Sequence, residues 1–398
     1  MDITIHPRKL SGSLTAIPSK SQAHRMLICA ALSDNTTQLH CSETNRDIDA
    51  TVDCLNALGA KILRTETGYT VEPIQTIPKH ADLNCFESGS TLRFLLPLAG
   101  ALGVETTFHM EGRLPKRPLS PLWEEMERMG CVLSRPTKTT LLCQGKLTAG
   151  QYTIPGNISS QYITGLLLSL PLLDRSSQII ITGKLESKPY VDLTQQVIKT
   201  FHVHSNPSKI PGGQTYHSPG KLSVECDWSN AAFFLTAQAL GNQVSLEGLS
   251  HNSVQGDKAI SLLLPLLQEN HRISASDIPD LIPILSVFSA CNHGAVFTDI
   301  QRLRIKESDR VASTIALIEN LGGKAASSEN TLTIYGTGLT GGVVDSVNDH
   351  RIAMSAAIAS TRCSKPVTIL GAECVKKSYP KFWEEFSRLG GHYEQYLR

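Results

Sequence analysis

Net charge is almost absent from this 398-residue chain: 37 Lys and Arg stand against 36 Asp and Glu, leaving +1. That balance excludes a broad basic face of the kind that holds nucleic acid. Aromatic residues make up only 6%, too few to interleave the basic segments as a base-stacking platform. There are ten cysteines, but they are scattered from Cys29 to Cys374 with no two at CxxC spacing, so neither a zinc ribbon nor a redox pair has support. No apolar run reaches membrane-spanning length, and the opening MDITIHPRKL has no apolar signal core. The reading is a cytoplasmic protein with reduced thiols that binds neither membrane nor nucleic acid.

What is present is length and repetition. The chain is too long for one ordinary core, so two domains are expected. A helix-end signature recurs: an apolar run, a turn residue, then a strand. It reads CLNALGAKI at Gly59, EMERMGCVL at Gly130, VIKTFHVHS at His202, LLLPLLQENHRIS at Asn270, LIENLGGKA at Gly322 and EFSRLGGHY at Gly390. Gly or Asn here is the left-handed cap that stops a helix, and His is a weaker variant. The intervals between those positions are 71, 72, 68, 52 and 68 residues. A unit of about 70 residues is too large for a solenoid. Six α/β units in two groups of three are expected. Strand-like segments such as LTIYG, Leu332 to Gly336, follow several caps.

Between the caps lie polar segments that open onto apolar helices. In PSKSQAHR, Lys20, Ser21 and Arg25 sit at a helix start, which suits either an anion or an ordinary Ser cap. ESGSTLRF places Gly89 where backbone could approach a ligand, although it is not a P-loop. GRLPKRPLSPL sets Arg113, Lys116 and Arg117 among prolines, either as a solvated loop or as a cationic one with a task. NISSQYITGLL offers Ser159, Ser160 and Gln161, more hydrogen-bonding groups than one cap uses. SKPYVDLT adds Ser187 and Tyr190. SDIPDLIPIL holds Asp277 and Asp280 in apolar surroundings, which would raise a carboxyl pKa toward general-base work; a plain turn carboxylate is the alternative. RIKESDR packs five charges into seven residues, with Lys306 and Arg310 on one face if the segment is helical. NDHRIAM brings Arg351 and KKSYPKFW brings Lys377. A neutral chain with cations at helix starts fits small, multiply anionic ligands in a cleft.

Taken in order, PSKSQAHR, ESGSTLR, LPKRPL, SSQYITGLL, SKPYVDLT, IPDLIP, RIKESDR, NDHRIAM and KKSYP resemble the motifs of the 5-enolpyruvylshikimate-3-phosphate synthases, the 3-phosphoshikimate 1-carboxyvinyltransferases. They run from about residue 18 to residue 382, and RIKESDR with NDHR is the most specific pair. The resemblance implies an α/β fold of two domains, each an inside-out α/β barrel of three helix-strand repeats, with the active site in the interdomain cleft. It implies a discontinuous domain, residues 1–18 plus 225–398, whose N-terminal strand completes the C-terminal half, and an inserted domain, 19–224. The implied reaction moves the enolpyruvyl group of phosphoenolpyruvate to the 5-hydroxyl of shikimate 3-phosphate and releases phosphate, on the route to chorismate and the aromatic amino acids. No metal and no cofactor is expected, and a monomer is.

By the same resemblance Asp280, Glu307 and Lys20 are the proton-transfer residues. Shikimate 3-phosphate falls to Ser21, Arg25, Ser159, Ser160, Gln161, Ser187, Tyr190, Asp280 and Lys306. Phosphoenolpyruvate falls to Lys20, Gly89, Arg117, Gln161, Arg310, Arg351 and Lys377. Arg304 and Asp309 are left to hold the helix start. The chain departs from many members at Glu87, at Phe94 where Pro is frequent, and at Arg302 where some carry Asn; it is also short, which implies trimmed loops. Gly89 implies sensitivity to glyphosate. The rivals are a UDP-N-acetylglucosamine enolpyruvyl transferase, which commonly carries a Cys or Asp in the loop that here reads GRLPKRPLSPL, and a non-catalytic ligand-binding relative.

Overall fold

A computed structural model describes residues 1–269 and 271–396. The chain forms two compact units: Met1–Ile17 joined by everything from Cys226 onward, and Pro18–Glu225. In unit 18–225, strands His80–Asn84, Glu105–His109, Thr140–Gly145 and Cys131–Ser134 lie side by side in that order, the first pair parallel and the other two antiparallel. Lys221–Ser223, Thr37–His40, Gly68–Glu72 and Lys61–Arg64 repeat the pattern. The other unit repeats it twice, first with His271–Ser274, Ala295–Thr298, Thr331–Tyr335 and Lys324–Ser327. The second copy is Gly342–Asp345, Val367–Leu370, Asp2–His6 and His392–Tyr396, so the N-terminal strand does complete a C-terminal sheet. The third sheet of each unit is a parallel pair, Gln151–Pro155 with Gln178–Thr182 and Ser11–Thr15 with Gln243–Glu247. Three sheets per unit match the six repeats, though each is hydrogen-bonded only within itself among the described residues.

Parallel strands need a crossover, and helices supply it. Gly89–Leu102, Ser160–Ser169, Ile282–Ala290 and His350–Ala359 each run between the two strands of a parallel pair, and Lys20–Ala31 and Trp228–Ala239 are their counterparts where the chain is spliced. These six are the inner helices. Every residue of Ile282–Ala290 and His350–Ala359 is buried, and all but two of Gly89–Leu102. A helix apolar on all sides belongs in a core. The sheets lie outside, as strands such as Thr37–His40 and Cys131–Ser134 alternate buried and exposed residues. Each fully buried Leu or Phe contributes roughly 1.5–3 kcal/mol.

The second set of helices, Arg46–Ala57, Leu122–Arg128, Lys188–Thr200, Ile260–Leu266, Arg310–Asn320 and Phe382–Arg388, buries one face only. The recurrent helix-end signature marks these outer helices. Its caps at Gly59, Gly130, His202, Gly322 and Gly390 all have positive φ, from 59° to 107°. The copy at Asn270 lies outside the described residues. Inner helices escaped the pattern because their ends vary; Gly103 and Gly241 close two of them at φ 72° and 84°.

One contact between inner helices places site residues directly. Pro97, inside Gly89–Leu102, has no N–H to give the Arg93 carbonyl one turn back. Gly165 of Ser160–Ser169 packs on that carbonyl, where a Cβ would collide with it. The absent side chain lets the two helices approach closely, which brings Arg93 and Gln161 within reach of each other.

Candidate active site

Every candidate segment lies where a strand of a parallel pair hands over to a helix, just past the strand's carboxyl end, which is where open α/β sheets bind ligands. Helix N-termini gather there, so each unit offers positive dipole ends. Several of these turns hold non-glycine residues at positive φ: Phe86, Ser187, Val347 and Asn348. Such conformations cost on the order of 1 kcal/mol each, and packing sustains them where geometry is tightly specified.

In unit 18–225 the Lys20–Ala31 helix is capped by Ser19, and Lys20 Nζ lies 3.1 Å from Asp47 Oδ2. Buried Arg25 donates through Nε to Thr194 Oγ1 (2.7 Å), through Nη1 to the Ser21 carbonyl (2.6 Å) and through Nη2 to the Tyr190 carbonyl (3.1 Å). It also stands 5.0 Å over the Phe94 ring. Burial lowers its pKa to about 10, so it stays charged at neutral pH. Arg25, Ser21 and Tyr190 are therefore brought together, with Arg25 tying three helices.

Ser88 caps the Gly89–Leu102 helix, and Ser159 caps Ser160–Ser169 through the Gln161 N–H. A Cβ on Gly89 would sit 2.6 Å from Arg117 Nη1 and 2.7 Å from Arg93 Nη1. Arg93 Nη1 donates to Gln161 Oε1 (3.1 Å), and Gln161 Nε2 donates to Ser90 Oγ (3.0 Å). Gly89, Arg117 and Gln161 thus form one patch with Arg93. Ser187 starts the Lys188–Thr200 helix at φ 53°.

In the other unit Arg310 is the hub. Fully buried, it donates through Nη1 to Asp280 Oδ1 (2.7 Å), through Nη2 to Glu307 Oε2 (2.5 Å) and through Nε to Asp349 Oδ2 (3.0 Å). Arg351 Nη2 donates to Asp280 Oδ2 (2.8 Å), and Lys306 Nζ stands 4.0 Å from Asp280 Oδ1. Asp349 caps the His350–Ala359 helix and Asp309 caps Arg310–Asn320. Lys377 Nζ donates to the Asn348 carbonyl at 3.0 Å. Asp280, Lys306, Glu307, Arg310 and Arg351 form one cluster, with Lys377 near the next helix start.

Two expectations fail here. Burial alone would raise the Asp280 pKa, but Arg351, Lys306 and Arg310 outweigh it and hold the carboxyl well below the usual range. The apolar neighbours in sequence misled because the deciding charges lie 26 to 71 residues away. Nor do Lys306 and Arg310 share a helical face: Lys306 is extended (φ −82°, ψ −158°) and the helix begins at Arg310. Arg304 and Asp309 do keep the structural role expected of them, 3.6 Å apart at the helix start. Burial lowers the Lys306 pKa to about 8.

Three acids at these turns went unassigned: Asp47 beside Lys20, Asp349 beside Arg310, and Asp257. Asp257 is buried, takes a hydrogen bond from Ser229, and is pushed up to about 7 by burial and by Asp280, with Arg351 pulling the other way. Its only signal was position, after the Gln243–Glu247 strand.

The EPSP synthase (3-phosphoshikimate 1-carboxyvinyltransferase) family model matches residues 5–269 and 267–386. A 3-phosphoshikimate 1-carboxyvinyltransferase of Clostridium kluyveri is 39% identical over 420 residues, covering 99% of this chain and 98% of its own. One from Clostridium perfringens is 41% identical over 418 residues, covering 98% of each. Among solved structures, an EPSP synthase of Acinetobacter baumannii shares the fold at TM-score 0.80 and 23% identity, covering 99% of this chain and all of its own. The enolpyruvyl transferase NikO of Streptomyces tendae shares it at TM-score 0.76 and 14% identity, covering 99% and 98%. Motifs, repeats and these matches agree: the chain belongs to the EPSP synthase family.

Proposed function

We propose that this chain transfers the carboxyvinyl group of phosphoenolpyruvate to the 5-hydroxyl of shikimate 3-phosphate and releases phosphate, by addition and elimination through a tetrahedral intermediate. The observation that carries the reading is the cluster around Arg310, where three carboxylates and two further cations share one buried site. The chemistry needs a base for the hydroxyl proton, an acid for C3 of the enolpyruvyl group, and cations for an intermediate bearing two phosphates and two carboxylates. Asp280 takes the hydroxyl proton; Glu307 and Lys20 serve the enolpyruvyl carbon. Ser21, Arg25, Ser159, Ser160, Gln161, Ser187, Tyr190, Asp280 and Lys306 bind shikimate 3-phosphate. Lys20, Gly89, Arg117, Gln161, Arg310, Arg351 and Lys377 bind phosphoenolpyruvate.

Asp280 is a weak base while two guanidinium groups hold it. An anionic substrate on Arg310 and Arg351 competes for those donors, and the released carboxylate becomes more basic. The enzyme works as a monomer in the cytoplasm. Phosphate release from phosphoenolpyruvate, with shikimate 3-phosphate and separately with UDP-N-acetylglucosamine, tests the reading. Release with the first alone is expected; release only with the second overturns it.

A further inference from the structure

Lys20 and Gly89 open two different helices, and a ring of contacts, buried except at Lys20 and Asp47, joins them. Lys20 Nζ meets Asp47 Oδ2 at 3.1 Å, and the Asp47 carbonyl accepts from Thr91 Oγ1 at 3.4 Å. Thr91 Oγ1 lies 2.7 Å from Thr51 Oγ1, and Thr51 Oγ1 lies 2.7 Å from His24 Nδ1. His24 returns to Lys20, one turn back on the same helix. A spur from Thr91 Oγ1 donates to Ser88 Oγ at 2.7 Å, and Ser88 caps the helix that Gly89 begins. His24, Thr51, Thr91 and Ser88 are all at most 1% exposed.

The direction of the protons in this ring follows from Thr91, which is the donor toward Ser88 and the Asp47 carbonyl. Thr91 has a single hydroxyl proton, shared between Ser88 Oγ at 2.7 Å and, more weakly, the Asp47 carbonyl at 3.4 Å. Thr91 must therefore accept from Thr51, whose own proton is then spent. Thr51 must in turn accept from His24, so the imidazole carries its proton on Nδ1. Among the described residues His24 Nε2 is buried with no hydrogen-bond partner. A second proton there would be unsatisfied, and burial together with Lys20 and Arg25 keeps the ring neutral.

We infer that His24 is a positioning residue for phosphoenolpyruvate: as the neutral Nδ1–H tautomer it starts the one-way hydrogen-bond chain that fixes the Gly89 turn and Asp47 against Lys20. The inference rests on the assignment of Lys20 and Gly89 to that substrate. A side chain that merely filled the core could be replaced by any group of its size, whereas this role needs a donor at Nδ1.

The test measures KM for each substrate in His24→Leu, Thr51→Val and His24→Asn. The first two are expected to raise KM for phosphoenolpyruvate about tenfold, with that for shikimate 3-phosphate changed less than about twofold. His24→Asn, whose amide supplies the donor, should restore most of the loss. If both constants move together, if neither moves, or if Asn behaves like Leu, the inference fails. Nitrogen-15 correlation spectra of the wild-type histidines decide the tautomer even where a variant does not fold: a proton on Nε2 of His24 overturns the inference. If the wild-type chain turns over no phosphoenolpyruvate with shikimate 3-phosphate, the functional reading fails while the tautomer remains measurable.

Discussion

Two pairs of site arginines, one in each unit, rest on different kinds of partner. In unit 18–225, Arg25 and Arg93 donate to hydroxyls, to backbone carbonyls and to the Gln161 amide oxygen. In the other unit, Arg310 and Arg351 donate to Asp280, Glu307 and Asp349. Neutral acceptors satisfy geometry and leave the charge standing, so the first arrangement holds a ready positive field for anions. Carboxylates satisfy geometry and cancel charge, so the second binds an anion only by exchanging partners. The exchanged carboxylates are the groups suited to moving protons. Similar folds and similar arginines thus present two electrostatic settings, distinguished by what each guanidinium touches.

Arg310→Met should break the comparison most severely. It removes one cationic partner from each of three carboxylates, the fully buried Asp349 among them, and losing one partner of a buried pair costs about 3–5 kcal/mol. Thermal melting should fall by about 10 °C or more, if the variant folds at all. Arg93→Met removes the donors to the neutral Gln161 amide oxygen and Pro118 carbonyl, so it should cost less stability while raising KM for phosphoenolpyruvate. Equal melting losses in the two variants would dissolve the distinction.

Asp280→Asn sharpens it through pH. The Asp280 pKa is depressed in the folded chain, so its contribution is complete above the unfolded carboxyl value near 4 and fades as pH falls below it. The variant should melt about 5 °C below wild type at pH 7, with the gap closing in acid. A gap that is constant with pH would mean that the charge is not the cause. At pH 7 the same substitution should slow phosphate release by about 10²–10⁴-fold.

Gly89→Ala should act through crowding on Arg93 and Arg117, raising KM for phosphoenolpyruvate by about tenfold and reducing inhibition by glyphosate. Unchanged turnover of the wild-type enzyme in excess glyphosate would contradict the Gly89 expectation. The smallest effect belongs to Lys306. Buried, it loses its proton as pH rises through about 8, so KM for shikimate 3-phosphate should be flat below pH 8 and rise above it. Lys306→Arg should stay flat to higher pH, because a guanidinium keeps its proton.

Much of this was legible in the chain. The caps at Gly59, Gly130, His202, Gly322 and Gly390 mark outer helices because an amphipathic helix followed by a left-handed turn leaves a local pattern. The inner helices left no such pattern, since their ends vary and a segment buried on every side has no period to read. Site segments showed themselves as polar stretches opening apolar helices. Asp47 and Asp257 did not, because a single acid in a turn looks like any other until its neighbours are known.

By itself the sequence determined which chemical groups are available, at which strand-to-helix turns, and in how many repeats, since caps, periodicity and motifs are written over a few consecutive residues. Only the tertiary structure decided what those groups are. It holds the Asp280 carboxyl well below its usual range, makes Arg310 a hub and sets His24 against Thr51. The reason is that a buried charge or proton takes its state from whatever lies within a few ångströms. Those neighbours arrive from 30 residues away for Arg310 and Asp280, from 71 for Asp280 and Arg351, and from 27 for His24 and Thr51.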